Sequence, residues 1–427
     1  MKATNNHITV FEHQTLKLNQ VIDDVVFDEK KLKAFQDFYG TNGVPYYSLV
    51  NKGIRFNEYV GVIQVGNFVV EVLPKADNTN VESNDRAAWQ SVLIEMLKEV
   101  GLFDIHAPSS SSLRLKSNSI LDLYFELFIR EVESLIHIGL IKKYRTKEGN
   151  TMALKGSLQF GKHIQQNLIH QERFFVKHTV YDVEHPLHFI LYKTICLLFQ
   201  LNTSSFLQSK IAALLLNFPE MPDIKVTEAT FSKLVFNRKT MPYKKAIEIS
   251  KLLLLNYHPD VSKGRNHVLA LMFDMNALWE QFVYVSLKKK KASLHTVIAQ
   301  LSKPFWKPEK GNHSCMKPDI IINFESENCV VLDTKWKNLN GYNPSPEDLR
   351  QMYVYHEYYG AKRVALVYPG NTDSHIKGSY KASYNYRDEN RECSVMVISV
   401  PIREDGIGIV RQWQKEIQAK VEIWMKG

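Results

Sequence analysis

The spacing of apolar and polar positions changes several times along this chain. In the first ~75 residues, HITVFEH, GVPYYSLV, NEYVGVIQV and NFVVEVLP mix apolar and β-branched residues and are cut by Gly and Asn. That pattern predicts short strands and turns. A polar stretch, KADNTNVESNDR, follows. Trp89, Leu93, Met96 and Val100 then recur at three- and four-residue spacing, which predicts a helix over AAWQSVLIEMLKEVGLF. After a serine run at 109–112, read as a loop tip, LDLYFELFIREVESLIHIGLI predicts a long amphipathic helix, and RTKEGNTMALKGSLQF returns to strand character.

From about Pro186 the pattern turns helical, through LHFILYKTICLLFQL, SKIAALLLNF and KKAIEISKLLLLNY. A third region begins near Val268. It predicts one helix over HVLALMFDMNALWEQFVYVSLKK, then strands at LHTVIAQ, KPDIIINF and CVVLDTKW, and a helix at PSPEDLRQMYVYHEYYG. Strands at RVALVYP and CSVMVISVP and a closing helix complete it. The expected class is α+β and multidomain. A β-rich and helical domain spans 1–180, a helical connector 181–267, and a mixed sheet flanked by helices 268–427.

With 44% hydrophobic and 23% charged residues over 427 positions, the chain can bury real cores and is not disordered. Its net charge of +9 favours a polyanionic partner, but weakly. The densest basic run, 288–291, reads as a solvated helix end beside the negative pole of the helix dipole. Four cysteines without a CxxC pair exclude a zinc knuckle and a disulfide scaffold, which fits a reducing cytoplasm. The polar start lacks the apolar core of a secretory signal. No apolar run reaches the ~18 residues of a membrane span. Gly156 to His163 nearly matches the phosphate-cradling GxxxxGK[ST]. His163 has no hydroxyl to offer Mg²⁺, so this stretch is read as a β-turn region and no nucleotide hydrolysis is expected here.

MKPDIIINFESENCVVLDTKWKN poses the chemical question. It predicts a hairpin whose strands carry Asp319 and Asp333, with Lys335 two residues on. Alternation puts Asp333 and Lys335 on one face and turns Thr334 away. A three-residue turn at 325–327 pairs Phe324 with Asn328 and therefore Asp319 with Asp333. Opposed carboxylates repel, and burial raises the cost. A hard divalent cation resolves the conflict, since Mg²⁺ takes one or two carboxylates together with a substrate phosphate. The bland alternative, a buried Lys335 salt bridge, leaves the second carboxylate uncompensated.

Ser345-Pro346-Glu347-Asp348 has the composition of a helix start. Gln351 and Tyr355 lie four apart on that helix and share a face. They are suited to orient a phosphate or a water, and equally to form a polar flank. Glu280 interrupts the apolar ALWEQFVYV, either toward solvent or toward the acidic cluster.

Pro318-Asp319, followed downstream by Asp333-Thr334-Lys335, resembles the PD-(D/E)XK nuclease signature, and Gln351-xxx-Tyr355 resembles the QxxxY element of some of its branches. LWEQFV, LDTKWK, QMYVY and VALVYP resemble the McrC family, the nuclease subunit of McrBC modification-dependent restriction systems. So do VFEHQTL, YVGVIQVGNFVVEVLPKAD, IHIGLIKKY, LKGSLQF and FNRKTMPYKKAIEISKLLLL. The resemblance implies a C-terminal PD-(D/E)XK domain over 268–427 that cleaves DNA with Mg²⁺. It also implies an N-terminal part, within 1–180, that docks on an McrB-like AAA+ GTPase ring and stimulates it, GTP being bound by that partner. Asp319 and Asp333 carry over as metal ligands, the Thr334 carbonyl and Glu280 as further ligand candidates, and Lys335 as the catalytic lysine. Gln351 and Tyr355 carry over as supporting catalytic residues. Two rivals stay open: a catalytically silent adaptor or DNA-binding protein, and a stand-alone repair nuclease.

Overall fold

In the computed structural model the acidic hairpin forms from Ile320–Ile322 and Val330–Thr334, paired antiparallel. Ile320 faces Leu332, Ile321 faces Val331 and Ile322 faces Val330. Continued by one residue, this expected register sets Asp319 against Asp333. The turn differs from the three-residue one expected. Pairing stops at Ile322 and Val330, and the loop between them includes left-handed Asn323 (φ 55°) and Glu325 (φ 60°). Phe324 does not pair with Asn328; its ring meets Tyr359, centroids 6.4 Å apart.

The structure describes residues 6–40, 43–75, 83–101, 120–259, 267–289, 296–339, 341–370, 372–381, 391–400 and 409–426. The serine run at 109–112 and the second half of the 288–291 basic run lie outside them, as does most of the KADNTNVESNDR stretch.

Val330–Thr334 belongs to a six-stranded mixed sheet. It runs parallel to Arg363–Gly370, which runs parallel to Glu392–Ser399, while Val297–Ala299 and Ser374–Ser379 are antiparallel edges. The central strands read as unbroken apolar runs because both faces are covered. On one face Ile321, Val331, Val364, Leu366 and Tyr368 pack with Met352, Tyr355 and Tyr359 of the Pro346–Tyr359 helix. That helix starts as expected: the Ser345 hydroxyl accepts from the Asp348 N–H at 3.1 Å. Gly360, left-handed at φ 59°, ends it. The Met275–Lys288 and Ile409–Lys426 helices contact the same sheet and pack together through Trp279 and Trp413, ring centroids 5.0 Å apart.

The predicted helix over HVLALMFDMNALWEQF is a strand followed by a helix. Val268–Asp274 is extended, and Asp274 caps Met275–Lys288 by accepting from the Asn276 and Ala277 N–H groups at 2.8 and 3.1 Å. An apolar run of this length does not distinguish buried strand from helix; the Asp-Met-Asn junction does.

Contacts divide the chain into two units, Met1–Pro108 with Met272–Gly427, and Ser109–Leu271. The expected boundary at 180/181 does not coincide with a break between them. The Ser83–Val100 helix packs on Met275–Lys288 and Ile409–Lys426, which ties the first hundred residues to the C-terminal region. In this unit His7–Phe11 runs parallel to Phe68–Leu73, which pairs antiparallel with Tyr59–Val65. A helix at Glu29–Tyr39 interrupts the β-rich segment. It was hidden by its many charges, and the Asp28 carboxylate caps it by accepting from the Lys31 N–H at 2.9 Å.

In the other unit the Ile120–Ile138, Pro186–Leu201, Ser205–Asn217 and Lys244–Leu255 helices pack together, and Lys143–Thr151 pairs antiparallel with Phe174–Asp182. The near phosphate loop is no turn: Ser157–Leu158 is a short strand and Phe160–Asn167 a helix. Gly156 (φ 70°) sits directly against the Lys177 carbonyl, where a side chain would clash. Among the described residues no helix is long and apolar enough to cross a membrane, and no cysteine is in a disulfide.

Candidate active site

Asp333 is the penultimate residue of its strand, on the face covered by the Pro346–Tyr359 helix, two residues beyond Val331. It is 1% exposed. Its Oδ2 lies 2.8 Å from Lys335 Nζ, so the two charges share a face as alternation required. Gln351 bridges them: its Oε1 accepts from Lys335 Nζ and its Nε2 donates to Asp333 Oδ1, both at 3.4 Å. Gln351 Nε2 also donates to the Tyr355 hydroxyl at 2.8 Å, and that hydroxyl donates to the Lys317 carbonyl at 3.3 Å. The i,i+4 pair on the helix thus faces the charged residues of the strand.

Asp319 lies just outside the ladder, and Thr334 holds it. The Thr334 N–H and hydroxyl donate to Asp319 Oδ2 at 2.7 and 2.9 Å. The expectation that Thr334 merely points away therefore missed its role. It stands opposite to Asp333 along the strand, and its hydroxyl still reaches the carboxylate at the ladder's end. Gln300, left-handed at φ 50°, donates its N–H to the Asp319 carbonyl at 2.9 Å and its amide to Glu280 Oε1 at 2.7 Å. Glu280 therefore faces the acidic cluster. Gln300 is the residue that sequence reasoning overlooked; the only signal was a polar residue closing the LHTVIAQ strand.

The electrostatics bind these groups into one set. Burial and then Asp319 push Asp333 up to about 6, against the pull of Lys335. Burial, then Asp319, push Glu280 up to about 7, with Asp333 adding a smaller push. Burial disfavours the Lys335 charge, but Asp333, Asp319 and Asp348 outweigh it, and its pKa lies above the ordinary lysine value. Lys335 Nζ is thus a charged donor to Asp333 and Gln351. Beside it Lys337 pairs with Asp348 at 2.6 Å. The Val367 carbonyl accepts from the Lys335 N–H at 3.0 Å and from Trp279 Nε1 at 3.3 Å. It joins the strand of Lys335 to the helix of Glu280.

Whether these residues suit a divalent cation turns on their donors. Among the described residues no group of three or more His, Cys, Asp or Glu is arranged to hold a metal ion. Two carboxylates whose mutual repulsion is incompletely offset by one lysine are nonetheless hard oxygen donors of the kind Mg²⁺ takes, with waters filling the remaining positions. The donor chemistry fits.

Residues 54–369, well over half of the chain, match the family model described as McrBC 5-methylcytosine restriction system component. The chain belongs to this McrBC family. No curated protein matches the sequence. Among solved structures, a chain of the refined half-complex from a tetradecameric assembly of Thermococcus gammatolerans McrB AAA+ hexamers with bound McrC is similar at 19% identity and TM-score 0.68, covering 97% of this chain and 100% of that one. The McrBC fold thus extends over nearly all of the sequence. A chain of the Thermococcus gammatolerans McrBC complex aligns at 19% identity and TM-score 0.48, over 67% of this chain and 88% of that one.

Proposed function

We propose that this McrBC-family chain is the Mg²⁺-dependent DNA endonuclease subunit of a GTP-driven, modification-dependent restriction complex, with a PD-(D/E)XK core in its C-terminal region. The observation that carries this reading is the buried Asp333 carboxylate beside Asp319, with Lys335 at 2.8 Å and Gln351 bridging the pair. Such a set disfavours folding and has an evident use in phosphodiester hydrolysis.

Asp319 and Asp333 would hold the Mg²⁺, with the Thr334 carbonyl and Glu280 as further oxygen donors. When bound, the cation offsets charge on the phosphoryl oxygens. The protein's residues supply the rest. Thr334 fixes Asp319 through two hydrogen bonds. Gln351 keeps Asp333 and Lys335 in register, and Tyr355 anchors Gln351. Lys335 donates to a non-bridging phosphate oxygen or to the attacking water. The partner is an McrB-like AAA+ GTPase ring, like the hexamers in the Thermococcus assembly. It binds GTP and is stimulated by the N-terminal part of this chain.

The Asp333–Lys335 ion pair also supports a second reading, a catalytically silent adaptor, because it neutralises one carboxylate within the chain. The test is cleavage of modified plasmid with Mg²⁺, with and without the AAA+ partner and GTP. Loss of cutting in Asp333→Ala and Lys335→Ala is expected. Full cleavage by Asp333→Ala overturns the nuclease reading, and GTP-independent cutting without the partner favours a stand-alone nuclease.

A further inference from the structure

Between Gln300 and Asp319 the chain leaves the sheet as a second hairpin, Lys303–Trp306 paired antiparallel with Ser314–Met316. Both ends of this excursion are in the site, since Gln300 bonds Glu280 and the Asp319 carbonyl. The base of the hairpin is fixed. Lys303 Nζ sits 4.7 Å from the centre of the Tyr358 ring and donates to the Tyr358 carbonyl at 3.3 Å. Phe305 meets the same ring edge-on at 5.3 Å, and the Tyr358 hydroxyl contacts the Pro304 carbonyl. Tyr358 lies on the helix that carries Gln351 and Tyr355, so the hairpin is braced against the element that orients the acidic cluster.

Beyond that base the hairpin faces solvent. Trp306 is 59% exposed and Phe305 51%. The sequence KPFWKPEKGNHSCMK, 303–317, holds four lysines and a histidine against one acid, Glu309. Lys303 is engaged at the base and Lys317 interacts with Glu280, which leaves Lys307, Lys310 and His313 against Glu309 beside the exposed aromatics, a combination that contributes little to a core and marks an interaction surface. Their combination matches a nucleic acid strand: cations for phosphates, and an indole face for a base or sugar. A purely apolar protein partner would leave the lysines unmatched.

We propose that this hairpin is a DNA-contacting element that seats the duplex flanking the scissile phosphate, with Trp306 against a nucleotide and Lys307 and Lys310 against phosphates. The inference rests on the nuclease reading. Trp306 is six residues along the chain from Gln300, so its Cα lies within about 20 Å of the Gln300 Cα. At ~3.4 Å per step, that span corresponds to at most about six base pairs.

The test is equilibrium binding of the full chain to a short labelled duplex over a range of salt concentrations, with cleavage measured separately. Trp306→Ala is expected to weaken binding about tenfold without changing the salt slope. Lys307→Ala combined with Lys310→Ala is expected to lower that slope by about two. Thermal midpoints of both variants stay at the unaltered value. Unchanged affinity and slope overturn the inference, as does absence of duplex binding by the unaltered chain. Intact DNA binding with lost affinity for the AAA+ partner overturns it in favour of a protein interface. The nuclease reading fails separately: if Asp333→Ala cuts fully while the hairpin variants still lose binding, the hairpin stands as a DNA contact and the nuclease assignment falls.

Discussion

Trp336, next in sequence to Lys335, donates its indole N–H to Glu12 Oε1 at 2.7 Å across 324 residues of chain. The same oxygen accepts from the Lys75 N–H at 2.7 Å. A carboxylate from the first strand region therefore props the residue next to Lys335. It does so while 3% exposed, and burial pushes its pKa up to about 7.

Glu12 makes stability depend on pH. Its pKa rises on folding from 4.5 to about 7, so between those values the folded state binds more protons than the unfolded chain. Stability is highest below about pH 4.5 as far as this group is concerned. It declines as pH rises, and above about 7 the contribution is lost. The difference is on the order of 3 kcal/mol. Glu12→Gln, which keeps the acceptor oxygen, should flatten the profile and match or exceed the native protein at pH 8. Chemical denaturation at pH 5 and pH 8 measures this; an unchanged pH slope in the variant contradicts it.

Asp333→Asn should stabilise the fold in metal-free buffer while abolishing cleavage. The ionised carboxylate is disfavoured by burial and by Asp319, which the amide avoids. Adding Mg²⁺ should then raise the thermal midpoint of the native protein by a few degrees, in proportion to the logarithm of concentration, and leave Asp333→Asn unmoved. Equal Mg²⁺ responses in both would remove Asp333 from the metal set.

Thr334→Val strips one of the two donors from Asp319 Oδ2 and should cost about 1 kcal/mol of stability. Cleavage should fall about tenfold through kcat at unchanged KM for DNA, since Thr334 acts through the carboxylate it holds. Thr334→Ser restores the hydroxyl and should recover most of the rate. Failure of serine to rescue would show that the hydroxyl has no positioning role.

Lys335→Arg keeps the charge but not the compact ammonium that fits between Asp333 and Gln351. Cleavage should drop about a hundredfold, close to Lys335→Ala, while DNA binding changes less than threefold. Near-native cutting by the arginine variant would reduce the lysine to a generic positive charge.

Much of the charged arrangement was legible in the sequence because strand alternation is rigid. A register that puts Ile321 and Val331 in the core also commits Asp333, Lys335 and the approach of Asp319. Gln351 and Tyr355 followed from helical spacing in the same way. What escaped depended on local backbone events with weak signatures. The Asp274 cap turned one apolar run into strand and helix. Charged side chains masked the Glu29–Tyr39 helix. The hydroxyl of Thr334 works at a strand end, where alternation no longer governs reach. Gln300 owes its position to a left-handed backbone that a single glutamine does not announce. The grouping of the first hundred residues with the C-terminal region was illegible for a different reason: contacts between distant segments leave no period in the sequence.

The shared carbonyl of Val367 has a mechanical consequence. The backbone of Lys335 and the indole one residue before Glu280 both hang from that single oxygen. Whatever shifts that end of the central strand therefore pulls on the Lys335 backbone and on the Trp279 indole through the same oxygen.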